Sequence, residues 1–268
     1  MNIVLAHGIF GFKRFIGVDY FNGVKKFLET LDPSIRVLVT RVSPAGRIEW
    51  RGKELGDQIL RSLDTGVLDP GEEVHIIAHS MGGLDARFCL SPFNPDNIAS
   101  KAKVVSLSTI STPHRGSPVA DVLTGENLLD KLLSNLPFDL GNLDEFARQI
   151  DLKMDGLQDL TTAKTEEFNS QYLNNEHVLY ASYAGVGRVG TPTAGVLRPF
   201  HSLVTFKTKE DNDGMVAVSS ATWGERLIEK WPADHADEIG HDLDHGSEAT
   251  PTFDYLEKYR GIVERLMA

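Results

Sequence analysis

The chain has 268 residues, 41% of them hydrophobic and 24% charged, which suits one large α/β domain with a sizeable core. A formal charge of −11 removes the basic face that a phosphate backbone needs, so nucleic acid is not an expected partner. The single cysteine, Cys89, excludes an intramolecular disulfide, and its apolar helical setting reads as inert packing.

The opening "MNIVLAHG" passes straight into a strand, without the basic region, long apolar stretch and cleavage site of a signal peptide. The expectation is a cytoplasmic protein, a mature form, or one exported by an uncleaved route. No run approaches the roughly eighteen apolar residues of a transmembrane segment. Strand-like runs then recur as "RVLVTRVS", "EEVHIIAHS", "KVVSLSTIST", "EHVLYASYAG" and "GMVAVSSA". Helical patterns lie between them at 18–30, 48–63, 82–92 and 251–267. Apolar strands alternating with helices predict a mostly parallel sheet with helices on both faces. With no repeat and no linker, the chain reads as a single domain over 1–268. Its one oddity is 118–172, where "NLLDKLLSNLPFDLGNLDEF" spaces its apolar residues helically. A helical cap or lid insertion is expected at about 118–165.

"AHSMGG", at 78–83, joins a strand to a helix through a serine. Strand, A-x-S-x-G, helix is the pattern of a nucleophile elbow, although the usual first residue is glycine and here it is Ala78. Small neighbours let the chain pass closely, which lifts Ser80 above the sheet edge and aims a helix N-terminus at whatever it attacks. The bland reading of Ser80 is a helix N-cap. A serine nucleophile needs a base, and the base an orienting acid, in the chain order serine, acid, histidine for such elbows. "KTKEDNDGMV" offers Asp213, placed at the end of an extended "LVTFKT", with Asp211 the weaker choice. "PADHADEIGHDLDH" offers His235 as base, while His241 and His245 sit in a more polar stretch expected to face solvent. His79 reads as a packed histidine. In "AHGIFG" the Ile9 N–H is a candidate oxyanion donor, with Met81 after Ser80 as the other, and His7 braces that loop.

These segments, in this order, resemble the true bacterial triacylglycerol lipases of the α/β-hydrolase superfamily. "HGIFGF", "AHSMGGLDAR", "STISTPHRGSPVAD", "LTTAKTEEFNSQY", "NDGMV" and "DHADEIG" carry the likeness across nearly the whole chain. The resemblance implies an α/β-hydrolase fold with Ser80, Asp213 and His235 as the triad. It also implies Ile9 and Met81 as oxyanion donors and a helical lid over an acyl-binding cleft. Many members hold a structural calcium, for which Asp237 matches one ligand; the second aspartate is missing, since 177–209 contains neither Asp nor Glu. No cofactor is expected for the chemistry itself. The acid- and histidine-rich run 234–245 reads as a solvated loop rather than a transition-metal site. The expected activity is a lipase acting on ester or lipid substrates at a transient lipid–water interface. The rivals are a short-chain esterase, polyester hydrolase or lactonase with the same machinery, and a silent hydrolase-fold binding protein.

Overall fold

β1 (Asn2–Ala6) sends alternate residues to opposite sides: Val4 and Ala6 join one core cluster, Ile3 and Leu5 another. A strand buried on both faces belongs inside a parallel sheet covered by helices. β2 (Arg36–Val39), β3 (Val74–His79), β4 (Val104–Ile110), β5 (Leu179–Gly185) and β6 (Leu227–Trp231) complete that sheet. It is six-stranded and wholly parallel, in the order β2-β1-β3-β4-β5-β6. The computed structural model describes residues 1–9, 19–124, 155–187, 195, 197–224, 227–243 and 253–268.

The helices are α1 (Val24–Leu31), α2 (Ile48–Asp64), α3 (Gly82–Leu90), α4 (Pro118–Leu123), α5 (Asp155–Gln158), α6 (Thr162–Gln171), α7 (Arg198–Thr208), α8 (Val218–Ala221) and α9 (Tyr255–Met267). Leu55 and Ile59 of α2, with Ala86 and Cys89 of α3, cover one face of the sheet through Ile76 and Leu107. Val24 and Leu28 of α1, with Tyr259 and Ile262 of α9, cover the other through Ile77, Ile110 and Trp231. Among the described residues no helix is long and apolar enough to cross a membrane.

This order places the site. From β1 the chain steps outward to β2, then crosses back to lay β3 on the other side of β1. The connections therefore diverge at the carboxyl ends of β1 and β3 and leave a crevice there. His7 and Gly8 leave β1 at that point and Ser80 leaves β3, with Ala6 paired to Ala78 in register.

Three expectations from sequence are corrected. "GMVAVSSA" is not a sheet strand: Asn212 and Ala217 form an isolated bridge, and α8 follows. The cause is Asp213, whose Oδ1 accepts the N–H groups of Met215 (2.8 Å) and Val216 (2.7 Å) and wraps the backbone round its own carboxylate. "LVTFKT" is the end of α7, because Phe200, Leu203 and Val204 lie on one helical stripe and pack on Val119 and Ala217. The sixth strand is instead Leu227–Trp231, whose exposed Glu229 and Lys230 masked it; such charges suit a sheet edge. Third, the 234–245 run is not wholly solvated, since Asp234 and Glu238 are buried.

The helical insertion expected over 118–165 is described only at its ends. α4 buries Val119 and Val122, and Gly156 in α5 gives its N–H to Ala45 O at 3.0 Å. The leucine-rich stretch at 125–154, on which the lid expectation rests, lies outside the described residues, as does His245.

Candidate active site

Ser80 has φ 55°, a left-handed conformation that few non-glycine residues adopt and that marks a strained turn. Its backbone is pinned on both sides. The Ser80 N–H donates to Ile110 O at 2.9 Å, while its carbonyl accepts from Gly83 N–H (3.1 Å) and Thr112 Oγ1 (2.7 Å). Two glycines make room for this. A Cβ on Gly82 would lie 2.5 Å from Ala6 O and 2.7 Å from His7 O, against rigid backbone. A Cβ on Gly8 would lie 2.6 Å from Ser80 Cβ and 3.0 Å from its Oγ, so the loop after β1 passes directly over the serine.

Asp213 is fully buried. One of its oxygens collects the two backbone N–H groups described above, and Oδ2 accepts Nδ1–H of His235 at 2.6 Å. The His235 N–H donates to Asp213 O at 2.9 Å, so backbone and side chain lock the two loops together. With Nδ1 donating, Nε2 of the neutral ring carries the free lone pair. Asp211, two residues earlier, is 59% exposed and pairs with Lys230 at 3.2 Å on the surface. The structure thus separates the two acids: Asp213 meets His235 and Asp211 does not.

His79 packs behind His235, the two ring centroids 4.5 Å apart. Its Nδ1 bonds Tyr20 OH at 2.7 Å and its Nε2 bonds Glu238 Oε2 at 3.0 Å. Burial holds His79 well below the ordinary histidine range. Burial, and then the nearby charge of Asp213, push Glu238 well above the carboxylate range. His241 does not simply face solvent; it is half-buried, with Nε2 donating to the carbonyls of Tyr20 (2.9 Å) and Asp19 (3.1 Å).

The loop after β1 is braced from below. His7 donates from Nδ1 to Gly8 O at 2.8 Å and accepts Val42 N–H on Nε2 at 3.1 Å. Burial first, and then the Arg51 charge, pull its pKa down to about 4, so it is neutral at physiological pH. Ile9 packs on the cluster that holds Met81, Leu84 and Phe88. Among the described residues neither the Ile9 N–H nor the Met81 N–H has an acceptor.

Several residues at the site carry no local motif. Arg51 is fully buried and paired with Asp85 at 2.7 Å; burial nevertheless pushes the Asp85 carboxyl up to about 6. Removing one partner of such a pair costs about 3–5 kcal/mol. A signal for Arg51 was present: it sits among Ile48, Gly52, Leu55 and Ile59 on the buried stripe of α2, where a surface helix carries apolar residues. Arg87 of α3 is also buried, its guanidinium 3.6 Å from the centroid of the Trp223 ring and bonded to Asn169 Oδ1 at 2.8 Å. Glu238 was hidden by its acidic neighbours.

Among the described residues the trio able to converge on a metal is His79, His235 and Glu238, already engaged with one another and with Asp213. Asp237 is outside that trio, and its Oδ2 accepts Asp234 N–H at 3.2 Å. Calcium takes six to eight oxygen ligands. Among the described residues no group of three His, Cys, Asp or Glu side chains converges on Asp237, and no step below passes through calcium.

A scan against protein-family models finds no match. Whole-chain comparison is decisive. A triacylglycerol lipase of Pseudomonas fragi is 31% identical over 89% of this chain and 87% of its own length. The chain belongs to the triacylglycerol lipase family. A Vibrio cholerae triacylglycerol lipase is 30% identical over 88% of this chain and 78% of its own. Among solved structures, Staphylococcus hyicus lipase superposes with a TM-score of 0.70 over 99% of this chain and 95% of its own. At 20% identity that likeness speaks for the α/β-hydrolase fold alone. As a member of this family the protein is an ester hydrolase of the lipase and esterase class.

Proposed function

We propose that the protein hydrolyses acylglycerol esters through an acyl-enzyme on Ser80, with His235 as general base and Asp213 as its orienting acid. The observation that carries this reading is the 2.6 Å Asp213–His235 bond, with the His235 ring packed on the neighbour of a serine held at φ 55°. In the first half-reaction Ser80 Oγ attacks the ester carbonyl carbon and His235 Nε2 takes its proton. The N–H groups of Ile9 and Met81, which have no acceptor among the described residues, receive the oxyanion. Collapse breaks the acyl–oxygen bond, and the glycerol-side alcohol leaves with the proton from His235. In the second half, water gives a proton to His235 and attacks the acyl carbon; Ser80 regains its hydrogen as the fatty acid departs. Asp213 holds the imidazole tautomer and stabilises the imidazolium that forms twice.

The lipid side of the proposal draws on the triacylglycerol lipases that the chain resembles and on the apolar cluster of Ile9, Met81, Leu84, Phe88 and Leu157 beside the serine. The test is hydrolysis of p-nitrophenyl esters from acetate to palmitate, with and without an emulsified interface. A preference for long chains and a rise in rate at the interface is the expected result. A flat preference for acetate with no interfacial effect would make the protein a short-chain esterase.

A further inference from the structure

Arg51 spends its guanidinium in an unusual way for a helical residue. Nε and Nη2 both donate to Asp85 Oδ2, at 2.9 and 2.7 Å. The remaining donations go to main-chain carbonyls outside its own helix: Nη1 to Ser43 O (2.7 Å), Nη2 to His7 O (2.9 Å) and Nη2 to Gly8 O (3.2 Å). Two of these three carbonyls belong to consecutive peptides of the loop that crosses Ser80.

A trans peptide is planar, with its C=O and the following N–H pointing in opposite directions. Fixing the carbonyl therefore fixes the N–H. The rule is visible at the first of the two peptides. His7 C=O is held by Arg51, and the N–H across that peptide, on Gly8, donates the other way to Tyr20 OH at 3.0 Å. Tyr20 OH lies on the serine side, since a Cβ on Gly8 would be 2.8 Å from it and 3.0 Å from Ser80 Oγ. At the next peptide Gly8 C=O is held twice, by Arg51 and by His7 Nδ1–H. The N–H across that peptide belongs to Ile9.

Asp85 closes the arrangement. It lies in the first turn of α3, and its N–H donates to Met81 O at 3.1 Å. The ion pair thus ties the loop that presents the Ile9 N–H to the helix that begins beside the Met81 N–H.

We infer that Arg51 and Asp85 are positioning residues of the oxyanion site: Arg51 sets the direction of the Gly8–Ile9 peptide, and Asp85 registers it against α3. Neither touches substrate. The pair acts through two backbone N–H groups, whose worth depends on being aimed before the charge develops. A buried ion pair is a poor device for stability alone, and this one leaves Asp85 Oδ1 without a hydrogen-bond partner. The inference rests on the proposed role of Ser80, and its test separates the two.

The variant is Arg51→Lys, which keeps the charge but cannot hold Asp85 and three carbonyls together. Wild type and variant are titrated with a serine-directed phosphonate and assayed on a soluble p-nitrophenyl ester, with rates expressed per titrated Ser80. The expected result is a loss of kcat on the order of 10²-fold with KM changed less than about twofold. The Ki of a reversible trifluoromethyl ketone, which places an oxyanion in the same position, should rise in proportion. A purely structural role would lower the titre and leave kcat per site unchanged, and that outcome overturns the inference. If Arg51→Lys does not fold, Asp85→Asn replaces it. Its kcat per site should fall while ketone Ki rises, by roughly tenfold each; unchanged values there would again overturn it. Failure of the wild type to label at Ser80 would strike the Ser80 reading instead.

Discussion

The two halves of the site are held by opposite means. The edge at β1 and β3 is fixed from within the sheet: Ser80 N–H continues the pairing to Ile110, and Gly82 lets the elbow rest on Ala6 and His7. The edge beyond β5 and β6 is framed by loops, with Val186 N–H donating to Trp231 O at 2.7 Å and Gly187 N–H to Asn212 O at 2.9 Å. Asp213 and His235 stand on loops and hold each other, through one side-chain bond, one backbone bond and the two N–H groups that the carboxylate gathers. On the proposed mechanism, a strained nucleophile needs a stiff support, whereas an acid and base need only mutual alignment, which hydrogen bonds supply directly.

The largest expected effect comes from the stiff half. Ser80→Ala should remove turnover by a factor on the order of 10⁶ while the thermal midpoint stays close to wild type. Substantial residual hydrolysis, measured with a long-chain emulsion, would break the assignment of the nucleophile to that edge.

Next is the loop-held half. Asp213→Asn should lower kcat on the order of 10⁴-fold, because the imidazole loses the anion that fixes its tautomer. Asp211→Asn removes only an exposed pair with Lys230 and should leave kcat within about twofold. If the two results are exchanged, the acid is on the surface turn and the locked loops are incidental.

These two aspartates also show what the sequence could reveal. The elbow was legible because its cause is local: a strand, a small-residue turn and a helix in consecutive residues. Asp213 and His235 were legible as residue types in the right order, but not their setting, since "LVTFKT" has the composition of a strand and the helical stripe only of α7. Five strands were readable from continuous apolar runs; β6 was not, because a sheet edge carries charge by design of its position. Arg51 showed only as a charge on the buried stripe of α2, and the roles of Asp85 and Glu238 not at all, for another reason. Their side-chain partners lie 34 to 159 positions away, so no spacing rule connects them. The two candidate oxyanion N–H groups and the His7 brace could be nominated from sequence, whereas the Arg51–Asp85 pair that holds the loop could not.

The smallest effect concerns the brace below Gly8. His7 has a folded pKa of about 4 against 6.5 unfolded, so the unfolded chain binds more protons between those values. Its contribution is therefore present above pH 6.5 and is lost as pH falls towards 4. Asp85, raised to about 6 from 3.8, has the opposite sign: its contribution declines as pH rises through nearly the same window. Urea unfolding of wild type and His7→Gln from pH 4 to 7 isolates the first term. The variant should gain stability relative to wild type as pH is lowered, by on the order of 3 kcal/mol at the limit. Parallel curves would mean that His7 titrates alike in the folded and the unfolded chain, and that the loop has no such brace.

The most direct test of the central claim is to trap the intermediate. Enzyme mixed with excess p-nitrophenyl palmitate is quenched in acid within the first turnovers, digested and mapped by mass spectrometry. The mechanism predicts one palmitoyl group per chain on the peptide containing Ser80, appearing with the burst of nitrophenol and absent in Ser80→Ala. Steady turnover with an unmodified Ser80 peptide, or an acyl group on any other residue, would contradict it.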